Sequence, residues 1–160
     1  MPAFKFRLNF LIALRRQREE EAAVKLARRL ASIADLEESI QAMFDHLSQM
    51  AEEVKAHGQT GRLTGPLLRL YGDFQLKVRQ DLKKAEELLI LSRREEAKER
   101  VALTRAVMAR QVIEKAKERQ RLAFEAEAQA EEQKNLEEMA SMARVRRLKE
   151  TGVSESDDRS

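Results

Sequence analysis

The chain has 160 residues, 37% of them charged and 4% aromatic, with no Trp and no Cys. That length allows one domain, but so few large apolar side chains do not suit a typical globular enzyme. Abundant Ala, Glu, Lys, Leu and Arg is the composition of long helices, and five Gly and two Pro are too few for the turns of an all-β fold. Without Cys there are no disulfides, zinc–thiolate sites, iron–sulfur clusters or Cys nucleophiles.

The net charge of +3 hides an alternation of blocks. Residues 1–30 carry a net +5, 31–57 a net −5, 92–121 a net +5 and 122–143 a net −5. A partner can read such blocks where it could not read the total.

The amino-terminal stretch holds three of the six Phe (Phe4, Phe6, Phe10), and its first 18 residues contain no acid. Its longest apolar run, Phe10 to Leu14, is far short of the ~20 residues that span a bilayer and too short for a secretory segment. The chain is therefore expected to be soluble. Residues 3–57 then contain no Gly or Pro, and the spacing predicts a helix over about 5–57. Ile33, Leu36, Ile40, Met43, Leu47, Met50, Val54 and His57 alternate steps of three and four, an a/d heptad seam.

Gly58, Gly61, Gly65 and Pro66 fall within nine residues and predict a single loop at about 58–65. Pro66 suits the first helical position, with Thr64 or Gly65 as N-cap. A second helix follows over about 67–148. Tyr71, Phe74, Val78, Leu82, Ala85, Leu88 and Leu89 form its bulky stripe. Farther on, Ala102, Ala109, Ala116, Ala123 and Ala130 recur every seventh residue, with Ala106 and Ile113 between them. Small seam residues bury little apolar area, so the pair should be firm near the loop and loose towards the free ends. The polar, aperiodic residues 151–160 are expected to be a disordered tail. The fold class is all-α: a long antiparallel two-helix coiled-coil hairpin over 1–150, the second helix longer than the first.

Folding about residue 61 or 62 sets residue i opposite roughly residue 123 minus i, with residue 4 near residue 119. The basic block 1–30 then lies beside the basic block 92–121. Either an acidic partner grips that end, or the charges splay into water and salt screens them.

Catalytic constellations are lacking. His46 and His57 are the two histidines, and Glu53 shares a helical face with His57, but two ligands do not close a metal site. The stretch Gly58–Thr64 faintly resembles a phosphate loop without its Lys or preceding strand. No enzyme activity, metal or cofactor is expected. In Arg93-Arg94-Glu95-Glu96 and Lys98-Glu99-Arg100 both signs interleave, which favours pairs on a solvated face over nucleic-acid binding. The opening segment is different: Phe4, Leu8, Leu11 and Arg15 would share one helical face and Phe6, Phe10 and Leu14 a neighbouring one, an apolar patch suited either to docking or to ordinary packing at the hairpin's end.

That opening run, through Phe4, Phe6, Arg7, Leu8, Leu11, Leu14, Arg15 and Glu19, resembles the FliJ family of flagellar type III export proteins. A second resemblance lies in Glu132-Gln133-Lys134-Asn135-Leu136-Glu137-Glu138-Met139, similar to the family's Glu-Gln-Lys-x-Leu-Asp-Glu-Ile with Glu137 for Asp and Met139 for Ile. The basic Ala116–Arg121 stretch is in keeping. The resemblance implies a stalk whose paired ends enter a hexameric export ATPase and whose loop end faces a membrane export-gate protein. It also implies a link to export chaperones and a cytoplasmic position, peripheral at the inner face of the membrane. An injectisome stalk is the nearest alternative; a coiled-coil adaptor or general chaperone for export substrates, and a peripheral membrane or nucleic-acid binder, are others. The residues expected to contact the ATPase ring are Phe4, Phe6, Arg7, Leu11, Arg15, Arg119, Arg121, Glu132, Gln133 and Lys134. Those expected to contact the gate or a chaperone are Leu67, Leu68, Tyr71 and Phe74.

Overall fold

The computed structural model describes residues 3–156, with side chains from 3 to 152. It contains two helices, α1 (Asn9–Gln59) and the longer α2 (Gly65–Ser156), and no strand among the described residues. Their tertiary contacts divide the chain into a hairpin unit, Ala13–Arg110, and a terminal unit that joins the described parts of Met1–Ile12 and Gln111–Ser160.

In the hairpin unit α1 and α2 run antiparallel. Interhelical pairs descend α2 as they climb α1: Glu19 with Arg110, Arg29 with Glu99, Glu37 with Arg93, and Glu53 with Tyr71. The turn follows from its residues. Gly61 takes a positive φ of 69°, a backbone conformation that an L side chain resists. That kink lets the Arg62 N–H reach back to the His57 carbonyl at 3.0 Å, the six-to-one bond that closes a helix end. Thr64 opens α2 as its N-cap, its Oγ1 accepting from the Leu67 N–H at 3.3 Å. Gly65 is thus the first helical residue and Pro66 the second, one place later than the sequence suggests.

The α1 seam is the expected one. Ile33, Leu36, Ile40, Met43, Leu47, Met50, Val54 and His57 all turn inward, and the same three–four alternation extends back through Arg29, Leu26, Ala22, Glu19 and Arg15. The α2 seam is also a strict heptad, but not the one the apolar residues suggest. It runs through Tyr71, Gln75, Val78, Leu82, Ala85, Leu89, Ser92, Glu96, Glu99, Leu103, Ala106 and Arg110. Phe74 and Leu88 lie beside this line and are about half exposed. The reason is geometric: once Val78, Leu82 and Ala85 face α1, steps of three and four land on Gln75 and Leu89, not on their apolar neighbours. Ala102 is exposed for the same reason, and Ala123 and Ala130 are exposed in the terminal unit, so the seven-residue Ala repeat is not a continuous seam.

Charge placement also differs from the block reading. Of the acids inside or beside the two basic blocks, Glu19, Glu37 and Glu99 each meet an Arg across the hairpin, while Glu95, Glu96 and Glu118 pair with bases of α2 itself. Opposite charges face each other where like charges were expected. The register moves with them: residue i faces about residue 128 minus i over most of the unit.

The terminal unit begins differently from the predicted helix over 5–57. Residues 3–6 lack regular structure and α1 starts at Asn9. Along Phe4-Lys5-Phe6-Arg7 exposure alternates: Phe4 is half-buried and Phe6 only 5% exposed, while Lys5 and Arg7 face solvent. Apolar side chains two apart reach one surface only from an extended backbone. The Asn9 N–H donates to the Phe6 carbonyl and turns the chain into α1. At the other end α2 continues through Ser156, past the expected end near 148; residues 151–156 of the expected tail are helical, and 157–160 lie outside the described residues.

Candidate protein-interaction surfaces

The ring-contact candidates fall mostly in the terminal unit. Phe4 packs its ring on Phe124 at 5.7 Å between centroids, tilted by 45°. Aromatic pairs prefer such inclined arrangements, which add to plain burial. Phe6 is buried and Leu11 half-buried, so these three anchor the amino-terminal segment, and its exposed groups are Lys5, Arg7, Leu8 and Phe10. Phe10 is 65% exposed and was not among the expected contact residues; its place in the first turn of α1, on the side away from buried Ile12, is what exposes it.

On α2 the same unit presents Arg119 to solvent, whereas Arg121 is occupied. The Arg121 guanidinium grips Glu118 through two hydrogen bonds, at 3.0 and 2.6 Å, and also reaches Glu125. Hydrogen bonding to Arg121 holds the Glu118 carboxyl below its ordinary range, and the same bonds, with both carboxylate charges, raise the Arg121 pKa. Glu132, Gln133 and Lys134 are exposed, and Gln133 Nε2 donates to Glu137 Oε1 at 3.2 Å. Phe124, the aromatic partner that sequence reasoning missed, sits at a half-buried seam position with Ile113, Lys117, Arg121 and Ala128.

Arg15 belongs to the hairpin unit, where its Nε is buried and makes no hydrogen bond among the described residues. About four turns farther along α1, Arg29 donates to both oxygens of Glu99, at 3.1 Å from Nη2 and at 3.3 and 3.5 Å from Nε. Those bonds, then the Glu99 charge, raise the Arg29 pKa. Glu99 is nearly fully buried. An open groove along this stretch is lined by Gln17, Glu20, Val24, Lys25, Arg29 and Glu99.

The four residues expected at the loop end separate into two pairs. Leu67 and Tyr71 are half-buried and belong to the hairpin packing. The Tyr71 hydroxyl donates to Glu53 at 3.4 Å and its ring lies 6.4 Å from that of His57. Partial burial, then the Glu53 charge, raises the Tyr71 pKa. Leu68 and Phe74 are about half exposed, and Leu70 and Leu76 more exposed still; at roughly 100° per residue Leu70 and Phe74 share one flank of α2, and Leu68 and Leu76 the other. Leu70 and Leu76 were legible as apolar residues off the heptad line.

A model of the FliJ family, described as flagellar FliJ protein, matches residues 4–149. The chain belongs to the FliJ family. No curated protein and no solved structure matches it. FliJ membership makes it a flagellar export-related protein, of a family of structural and export proteins that work with the flagellar export apparatus. No described helix is long and apolar enough to cross a membrane.

Proposed function

We propose that this FliJ chain is the non-enzymatic stalk of the flagellar export apparatus. The terminal unit enters the export ATPase hexamer, and the exposed Leu68 and Phe74 near the turn meet the membrane export gate. Its place is cytoplasmic, peripheral at the inner face of the membrane. The observation that carries the reading is the division of labour in the amino-terminal segment. Phe4 and Phe6 are spent on packing, and this leaves Arg7, Phe10 and, on α2, Arg119 facing outward. A cationic surface with a single aromatic suits a ring that offers carboxylates and a pocket.

The test is the hydrolysis rate and ring assembly of the cognate ATPase with substoichiometric amounts of this chain. The wild type raises both, and Arg7→Glu/Arg119→Glu loses most of the increase with its helical signal intact, because neither side chain is in the packing. A hexamer indifferent to the wild-type chain overturns the stalk reading. The adaptor reading, in which the chain escorts export chaperones or substrates, draws on the exposed flank of Leu70 and Phe74. It requires that Leu70→Ser/Phe74→Ser abolish chaperone capture while leaving ATPase stimulation unchanged.

A further inference from the structure

From residue 129 to residue 152 every described side chain of α2 is exposed. This stretch is not uniformly polar: Met139 and Met142 are more than 60% exposed and Val145 about half. At roughly 100° per residue, Glu138, Met139, Val145 and Arg146 all point within about 60° of Met142. They make one helix face with Met142 at its centre, Glu138 and Arg146 about 40° to either side of it and Met139 and Val145 about 60°.

The order of residues on that face is self-complementary. An antiparallel two-fold axis through Met142 sets each residue a given number of places before Met142 against the residue the same number after it in a second copy. Glu138 then meets Arg146, Met139 meets Val145, Met142 meets itself, and at the rim Lys134 meets Glu150. A parallel, in-register pair would instead set Glu138 against Glu138 and Arg146 against Arg146, which costs stability. The charge switch along this stretch, acidic from Glu131 to Glu138 and basic from Arg144 to Lys149, has the same two-fold logic.

We infer that a second copy of this chain covers the face, through antiparallel pairing of residues 134–150 about Met142. The inference does not depend on the stalk reading. The small apolar centre makes a weak contact, with a dissociation constant on the order of tens of micromolar. Because the pair covers the helix that carries Lys134, paired chains withhold that surface from other partners until dilution or competition frees it.

The experiment is sedimentation velocity of the full chain from micromolar to millimolar concentration. The wild type shows a concentration-dependent monomer–dimer equilibrium. Glu138→Arg weakens it about tenfold or more by creating two like-charge contacts, as does Arg146→Glu, and the double reversal Glu138→Arg/Arg146→Glu returns it to near the wild-type value. Because the chain has no Cys, a single Met142→Cys should cross-link two copies on mild oxidation, whereas Ala140→Cys, on the opposite side of the helix, should not. A chain that stays monomeric to about 1 mM overturns the inference and leaves the face to a different occupant. So does a dimer insensitive to either reversal, a double reversal that weakens pairing further, or cross-linking through Ala140→Cys as fast as through Met142→Cys.

Discussion

The hairpin unit holds two stretches built on one heptad skeleton with opposite chemistry. Near the turn, Ile40 to His57 meet Tyr71 to Leu89, and Gln75 is the one amide on that part of the α2 seam. Farther from the turn, Glu19 to Leu36 meet Ser92 to Arg110, where Glu96, Glu99 and Arg110 occupy positions that an apolar seam would give to Leu. The first stretch gains mainly from area removed from water. The second holds two charge pairs, Arg29–Glu99 and Glu19–Arg110, whose attraction is offset by desolvation. Such pairs add little net stability, but they penalise every other alignment, because a slip of one heptad leaves Glu99 buried without its guanidinium. Adhesion and alignment are thus assigned to different stretches of the same helices.

The sharpest way to break this comparison is to make the same change in both stretches. Leu82→Ala should cost about 2–3 kcal/mol in urea unfolding, since Leu82 is among the few buried side chains. Leu103→Ala, at a half-buried position, should cost about 1 kcal/mol. Equal losses would mean that the two stretches adhere alike. Next in size, Arg29→Met strands the Glu99 carboxylate and should lower the urea midpoint by less than Leu82→Ala does, because Arg29 is itself a third exposed and solvent screens its charge. The double change Arg29→Met/Glu99→Leu should recover that loss and loosen the alignment, seen as extra cross-link positions between Cys pairs introduced on α1 and α2. Gly61→Ala forces a side chain into the left-handed region and should remove about 1 kcal/mol, while the difference between the two leucine variants stays the same.

The smallest effect is on acidification. In the polar stretch the Glu95 carboxyl is held below its ordinary value of 4.5, first by its hydrogen bond to Lys98 and then by that ammonium's charge. A depressed carboxyl contributes stability above that value and loses it as the pH falls through the folded pKa. Amide exchange around residues 92–103 should therefore accelerate below about pH 4.5, ahead of exchange around 75–89. Simultaneous acceleration would show that the two stretches open as one.

The exposure of the candidate contact residues was legible in the sequence where a residue stood off the heptad line, and not where packing took up a residue with the chemistry of a contact. Phe6 and Tyr71 have the chemistry of contact residues but are taken up by the fold, whereas Phe10 is exposed because α1 begins at Asn9 and Leu70 because it stands off the heptad line. Arg121, expected as a free cation, is held between Glu118 and Glu125 on its own helix, a pairing already implicit in the spacings of three and four.

The distribution of Gly and Pro and the spacing of apolar residues on α1 were enough to establish two helices, one turn and the inward face of the first helix. Backbone preferences and the 3.6-residue period act locally and are written in consecutive residues. The alignment of the two helices, the polar α2 seam and the extended Phe4–Phe6 anchor were decided by the tertiary structure. Each depends on which side chains meet across distances of 18 to 120 residues in the sequence. A register shift of about five residues leaves every local preference satisfied, so only the interlocking of buried side chains and the pairing of Arg29 with Glu99 could choose among the alternatives.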